Sequence, residues 1–211
     1  MRDFSQAGLQ WKKYGPPQQR IKKIHLHGKQ RASVDVVAGM MFFLILVLTV
    51  FFCFRITQYM ITAAGVEDAL AASNLASAVI DLEEYGKSNR IYIADHKKAF
   101  QTFRESLICN LKLDDELYTT NKNFLLGQVY IEEYRIYNVQ EEQIEIMVFN
   151  NQGDIISSSF GKKGEVSTPD NVTVETTTIY SKITYSVEGL AGQLLVGKKE
   201  KSIDIVRYDS E

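Results

Sequence analysis

The sequence has 211 residues, with 24 Lys and Arg against 26 Asp and Glu, a formal net charge of −2, 45% hydrophobic residues and two cysteines. That balance excludes a uniformly basic nucleic-acid-binding domain, an acidic disordered chain and a disulfide-stapled module. The average also conceals three unlike segments: a basic, polar 1–32, an apolar and alanine-rich 33–85, and a mixed 86–211 long enough to fold as a domain.

The first segment and its flank carry Arg2, Lys12, Lys13, Arg20, Lys22, Lys23, Lys29 and Arg31 against only Asp3 and Asp35. Just past the apolar stretch there is Arg55 alone, then Glu67 and Asp68. This asymmetry predicts a cytoplasmic tail, with everything after Phe54 outside. A basic run serves either nucleic acid or anionic lipid. Beside an apolar helix the lipid headgroups are the nearer partner, and no nucleic acid is expected.

From Val36 to Phe54 the sequence VVAGMMFFLILVLTVFFCF contains nineteen residues and no charge. As a helix rising about 1.5 Å per residue it covers roughly 28 Å, close to the roughly 30 Å hydrocarbon core of a bilayer. It is apolar on every side, which predicts a membrane span rather than a surface-lying helix. The alternative, a buried core helix, needs a large domain on both sides, and only a short polar tail precedes it. No small-x-small cleavage site follows, so Val36 to Phe54 reads as a retained anchor. Asp35 stands at its inner edge. A carboxylate there either favours the macrodipole of a helix starting near Ser33, or meets a positive partner to offset the cost of a charge near hydrocarbon.

Beyond Phe54 there is no proline up to Tyr85, and Gly65 is the only glycine. The composition predicts one helix from about Ser33 to Tyr85, closed by Gly86. Leu75, Val79 and Leu82 are its expected apolar face. Gly65, Ala69, Ala72 and Ala76 form a second row of small side chains, which either admits a neighbouring helix or simply reflects helix propensity.

In 86–211, ADHKKAFQTFRESLICNLKL predicts a helix with Asp95 as N-cap and Phe100, Phe103, Leu107, Ile108 and Leu111 on one face. Cys109 is expected to be buried there. From about Phe124 the segments VYIEEYRIYNV, QIEIMVF, DIISSS, VTVETTTIYSKITYSV, GQLLVGKK and KSIDIVRYD predict strands, with turns at 150–153 and 161–171. The expected fold class is α+β: a long transmembrane helix that continues outside, then a small domain of an amphipathic helix packed on an antiparallel sheet. The other sheet face is expected to be polar, either wet or open to a partner.

Catalytic signatures do not emerge. His25 and His27 form an H-x-H pair without a third ligand, and His96 stands apart, so no metal site is expected. Gly161, Gly164, Gly189 and Gly192 do not form a phosphate loop, and no G-x-S-x-G occurs. Glu132-Glu133, Glu141-Glu142 and Asp114-Asp115 read as solvated hairpin or loop residues. Asn171-Val172-Thr173 fits the glycosylation sequon. The chain is expected to be no enzyme, with no cofactor and no small-molecule substrate.

Residues 31–82 combine RASVDVVAGMMFFLILVL with ITAAGVEDALAASNLASAV, and the chain closes with ITYSVEGLAGQLLVGKKEKSIDIVR. This arrangement resembles the TadE-like pseudopilins and minor pilins of tight-adherence (Tad) pilus systems. Val34-Asp35-Val36 stands where the family has its V-E-F element, with Asp in place of the usual Glu. Gln30 stands where a prepilin peptidase would need glycine; the nearest glycine is Gly28. The resemblance implies a non-enzymatic assembly component whose helix, through Asp35, Gly65, Ala69, Ala72 and Ala76, packs with other pilin-type proteins. The alternative is a membrane-anchored extracellular binding or sensor module unrelated to pili.

Overall fold

The computed structural model describes residues 19–120, 125–189 and 192–206 of the protein, with side chains from Val34 onward. Arg2, Asp3, Lys12 and Lys13 of the basic tail lie outside the described residues. The chain divides into two compact units, Met1–Phe54 and Arg55–Glu211.

Helix α1 spans Gln19–Ala76, beginning well before the expected start at Ser33. After Pro17 the sequence offers Arg, Lys, Gln, Leu and Ala, all good helix formers, so nothing delays the helix. Its end also differs. The expected continuation to Tyr85 is interrupted at 77–81, where polar side chains compete for backbone groups. Ser77 Oγ donates to the Asn74 carbonyl at 2.8 Å, and Asp81 accepts from the Glu83 and Glu84 N–H groups. Asp81 thereby caps a separate short helix, α2 (Leu82–Ser88). Gly86 lies inside α2 and does not close it; Asn89, in the left-handed region at φ 56°, does.

Helix α3 (His96–Leu111) has Asp95 as N-cap, accepting from the Lys98 N–H at 2.9 Å. Phe100, Phe103 and Leu107 are buried as the spacing predicts, with Ala99 beside them, while Ile108 and Leu111 are partly buried. Cys109 is exposed, contrary to expectation: the helical step that buries Phe103 and Leu107 turns it to solvent.

Among the described residues five antiparallel strands follow: β1 (Tyr130–Gln140), β2 (Gln143–Phe149), β3 (Ile155–Lys162), β4 (Thr178–Glu188) and β5 (Leu194–Asp204). Their order in the sheet is β3-β2-β1-β4-β5. The last two expected strand segments form the single strand β5. Gly197 in its middle opposes Tyr185, whose ring would lie 2.7 Å from any Cβ at that position. A glycine here marks close approach within a strand, not a turn. Gly153, in the β2–β3 turn at φ 86°, likewise leaves room for the Phe100 ring, 2.5 Å from where a Cβ would sit.

One sheet face meets α3 and the C-terminal part of α1. Phe100, Phe103, Tyr134 and Phe149 form an aromatic cluster with ring centroids 4.8–6.3 Å apart. Tyr134 is buried, donates its hydroxyl to Ser77 Oγ at 2.9 Å, and has its phenol pKa pushed up by burial. The opposite face is not wholly wet. Tyr137, Ile144, Val174 and Tyr180 form a second small core there, joined by Val166.

A buried polar residue fixes the segment between α2 and α3. Asn138 on β1 accepts from the Ile93 N–H at 3.0 Å and donates to the Ile93 carbonyl at 3.1 Å. Replacing Asn138 by Leu leaves both backbone groups buried without partners. We expect Asn138→Leu to cost about 2–4 kcal/mol, given roughly 1–3 kcal/mol per unsatisfied group, in chemical unfolding of the detergent-solubilised chain. A loss below about 0.5 kcal/mol, the scale of an ordinary surface substitution, would contradict this account of the segment.

Candidate assembly surface

Between Val34 and Phe54 no large apolar side chain of α1 is buried; Val36 is 62% and Phe54 60% exposed. Fully burying one such side chain is worth about 1.5–3 kcal/mol, so a run of them left exposed by the described residues demands another cover. The one side-chain hydroxyl within the run is satisfied locally: Thr49 Oγ1 donates to the Ile45 carbonyl at 2.8 Å. The helix is long and apolar enough to cross a membrane.

Asp35 is exposed and lies well inside α1, whose first turn begins at Gln19 and contains no acidic residue. The capping role is therefore corrected: a carboxylate this far along the helix does not serve its N-terminal dipole, an effect confined to the first turn. What remains is a charge at the border of an uncharged segment.

In the second unit, the face of α1 that packs on the sheet is Val66, Ala69, Leu70, Ser73 and Asn74, all buried, continued by buried Ser77 just past its end. Leu75 and Leu82, two members of the expected apolar face, are exposed; Leu82 belongs to α2 and Leu75 points the other way. The row of small residues divides. Ala69, only 8% exposed, sits at its edge and is used by the domain itself. Gly65, Ala72 and Ala76 are exposed, and a Cβ at Gly65 would meet nothing within 4 Å. With Ile61, Asp68 and Leu75, also exposed, they form one open helix face.

Polar contacts hold the helix in this setting. Asn74 donates to the Lys201 carbonyl at 2.9 Å and accepts from Ser181 Oγ at 2.7 Å. Glu67 pairs with Lys199 at 3.0 Å and Lys201 at 2.9 Å, and the Tyr59 hydroxyl donates to the Glu188 carbonyl at 3.2 Å. In the sequence Glu67 signals only charge beyond the apolar stretch. Its partners lie more than 130 residues away, so no local pattern exposes the pair.

The sheet face opposite the helices carries charges that mostly neutralise one another. Glu133 accepts from Arg135 Nε at 2.7 Å, and the Arg135 guanidinium lies 5.9 Å over the Tyr180 ring. Tyr180 donates to Glu200 at 2.8 Å, and Glu200 also pairs with Lys182 at 3.4 Å. Glu132 pairs with Lys198 at 2.6 Å. Glu132 and Glu133 are thus ion-paired strand residues, not solvated loop acids. Among the described residues no three His, Cys, Asp or Glu side chains converge on a common metal position. The side chains of His25 and His27 lie outside the described residues.

The hydrogen bonds from Lys201 and Lys199 hold the Glu67 carboxyl below its usual pKa range. Because the folded value lies below the unfolded one, the pair contributes stability above the unfolded pKa and loses it as pH falls through the folded value. Glu67 is substantially exposed, so solvent screening keeps that contribution to about 0.5–1 kcal/mol. Glu67→Gln should lower stability by that amount at neutral pH, and the gap should close as pH drops below the carboxylate range. Parallel stability–pH curves for the two proteins would contradict the pairing.

No protein-family model, curated protein sequence or solved structure matches the chain.

Proposed function

We propose that the chain is a single-pass, membrane-anchored and non-enzymatic assembly component of the TadE-like pseudopilin or minor-pilin kind. The observation that carries the reading is the uncharged stretch Val36–Phe54, helical and with none of its large apolar side chains buried among the described residues. Membrane lipid supplies the cover. The basic residues ahead of Asp35 favour a cytoplasmic tail, which leaves the α+β domain outside the membrane.

Association is assigned to the open face of α1 around Gly65, Ala72 and Ala76, where small side chains allow a second helix close approach. Asp35, beside the span, is positioned to meet a positive group from a neighbouring pilin-type helix, which offsets the cost of holding a carboxylate near hydrocarbon. Ala69 takes no part, since its side chain is used within the domain.

Gly65→Leu and Ala72→Leu place bulk at exposed positions, and a Cβ at Gly65 meets nothing within 4 Å, so both variants should fold. Each should lose most of its co-purification with pilin-type partners from membranes. Ala69→Leu should instead destabilise the domain. Undiminished recovery of partners with both open-face variants would overturn the association surface. The topology has its own probe in the exposed Cys109: in a Cys53→Ser background, a membrane-impermeant maleimide should label Cys109 in intact cells. Labelling only after permeabilisation would reverse the orientation.

A further inference from the structure

Three sets of contacts set the β4–β5 hairpin beside the part of α1 that follows Arg55. Asn74 holds the Lys201 carbonyl and Ser181, Glu67 pairs with Lys199 and Lys201, and the Tyr59 hydroxyl reaches the Glu188 carbonyl at 3.2 Å. From Asn74 back to Tyr59 the helix spans about 22 Å at roughly 1.5 Å per residue. From Ser181 to Glu188 the strand advances about 23 Å at roughly 3.3 Å per residue. The two lengths agree, so the closed end of the hairpin lies level with Tyr59.

That end is apolar. Leu194 stands across from Glu188 in the strand register, Leu195 and Val196 follow, and all three are exposed, Val196 at 67%. Alternation places Leu194 and Val196 on one face of the sheet and Leu195 on the other. Past Gly197 the strand turns abruptly to Lys198, Lys199, Glu200 and Lys201. Ile56 and Met60 on the helix, close to Tyr59 in sequence, are exposed as well. Scattered exposed apolar residues need no explanation, but a group contributed by two elements at one end of a domain does.

The occupant follows from where this end is tethered. Tyr59 lies five residues past Phe54 in the same helix, about 7.5 Å along its axis. The headgroup layer flanking the hydrocarbon is about 5–8 Å deep on each side. Tyrosine favours that level. The exposed Glu188 carboxylate and the outward backbone groups of β5, an edge strand, both need water. The hairpin end therefore suits the wet boundary between headgroups and acyl chains, not the hydrocarbon itself.

We propose that the end of the β4–β5 hairpin, through Leu194, Leu195 and Val196, docks on the lipid headgroup boundary and gives the domain a second membrane contact beside its helical anchor. The proposal rests on Val36–Phe54 spanning the bilayer.

The test uses the full chain in phosphatidylcholine vesicles, with Cys53→Ser and Cys109→Ser in the background. An environment-sensitive nitrobenzoxadiazole label is placed through Leu195→Cys, or through Glu142→Cys in the exposed β1–β2 turn as the control. The label at 195 should emit to the blue of the label at 142. It should also lose most of its intensity when the lipids carry a nitroxide at the top of the acyl chain, while the label at 142 keeps its own. Adding Leu194→Glu and Val196→Glu should abolish the quenching at 195 and leave the unfolding midpoint and resistance to carbonate extraction at parental values. An unquenched, water-like label at 195 on a chain that resists carbonate overturns the docking and leaves the span standing; release by carbonate overturns the span and the docking with it. A blue-shifted label that the lipid nitroxide does not quench means that protein covers the hairpin, and it overturns the docking too. So does quenching that persists in the doubly acidic variant.

Discussion

A helix of uncharged residues whose large apolar side chains all stand exposed among the described residues has to be covered by something else, and most other features of this protein follow from that. Between Val36 and Phe54 the backbone is satisfied within the helix, and the Thr49 hydroxyl is returned to the Ile45 carbonyl. Such a segment is compatible with hydrocarbon, where an open backbone group would cost several kcal/mol. The same constraint makes Asp35 conspicuous. A charge on that border, too far along α1 to serve its first turn, needs either water or a partner.

Where α1 reaches the domain, the logic of its surface changes. One side is committed by buried polar contacts as much as by apolar ones: Asn74 to Lys201 and Ser181, Ser77 to Tyr134, Ser73 to Asn110. These bonds are directional, so they fix the rotation of the helix on the sheet in a way that Val66 and Leu70 alone would not. Fixing the rotation also decides which residues are left over. Gly65, Ala72 and Ala76 face outward because Ala69, Ser73 and Ser77 face inward.

Much of this was legible in the sequence. The uncharged stretch, the period of Phe100, Phe103 and Leu107, the Asp95 cap and the alternation in β1 and β2 are local patterns, and local patterns survive folding. The misses share a cause. The helix end at Ala76 depends on Ser77 and Asp81 competing for backbone groups, which composition does not weigh. Leu75 and Leu82 looked like core because they are apolar at helical spacing, yet the rotation is set by Asn74 finding a carbonyl on β5. The expected break at Glu200 is absent, and nothing nearby in sequence announces the Tyr185 ring that Gly197 admits within β5. The division of the small-residue row, Ala69 used by the domain and Gly65, Ala72 and Ala76 left open, follows from the same distant contacts.

The central claim is that lipid covers Val36–Phe54, and alkaline carbonate extraction of membranes tests it most directly. Carbonate strips proteins held by charge or by a partner's surface but leaves those that span the bilayer. The chain should stay in the membrane pellet, and a variant carrying Leu44→Lys, Val47→Lys and Phe51→Lys should not. Quantitative release of the parent chain into the carbonate supernatant would contradict the account.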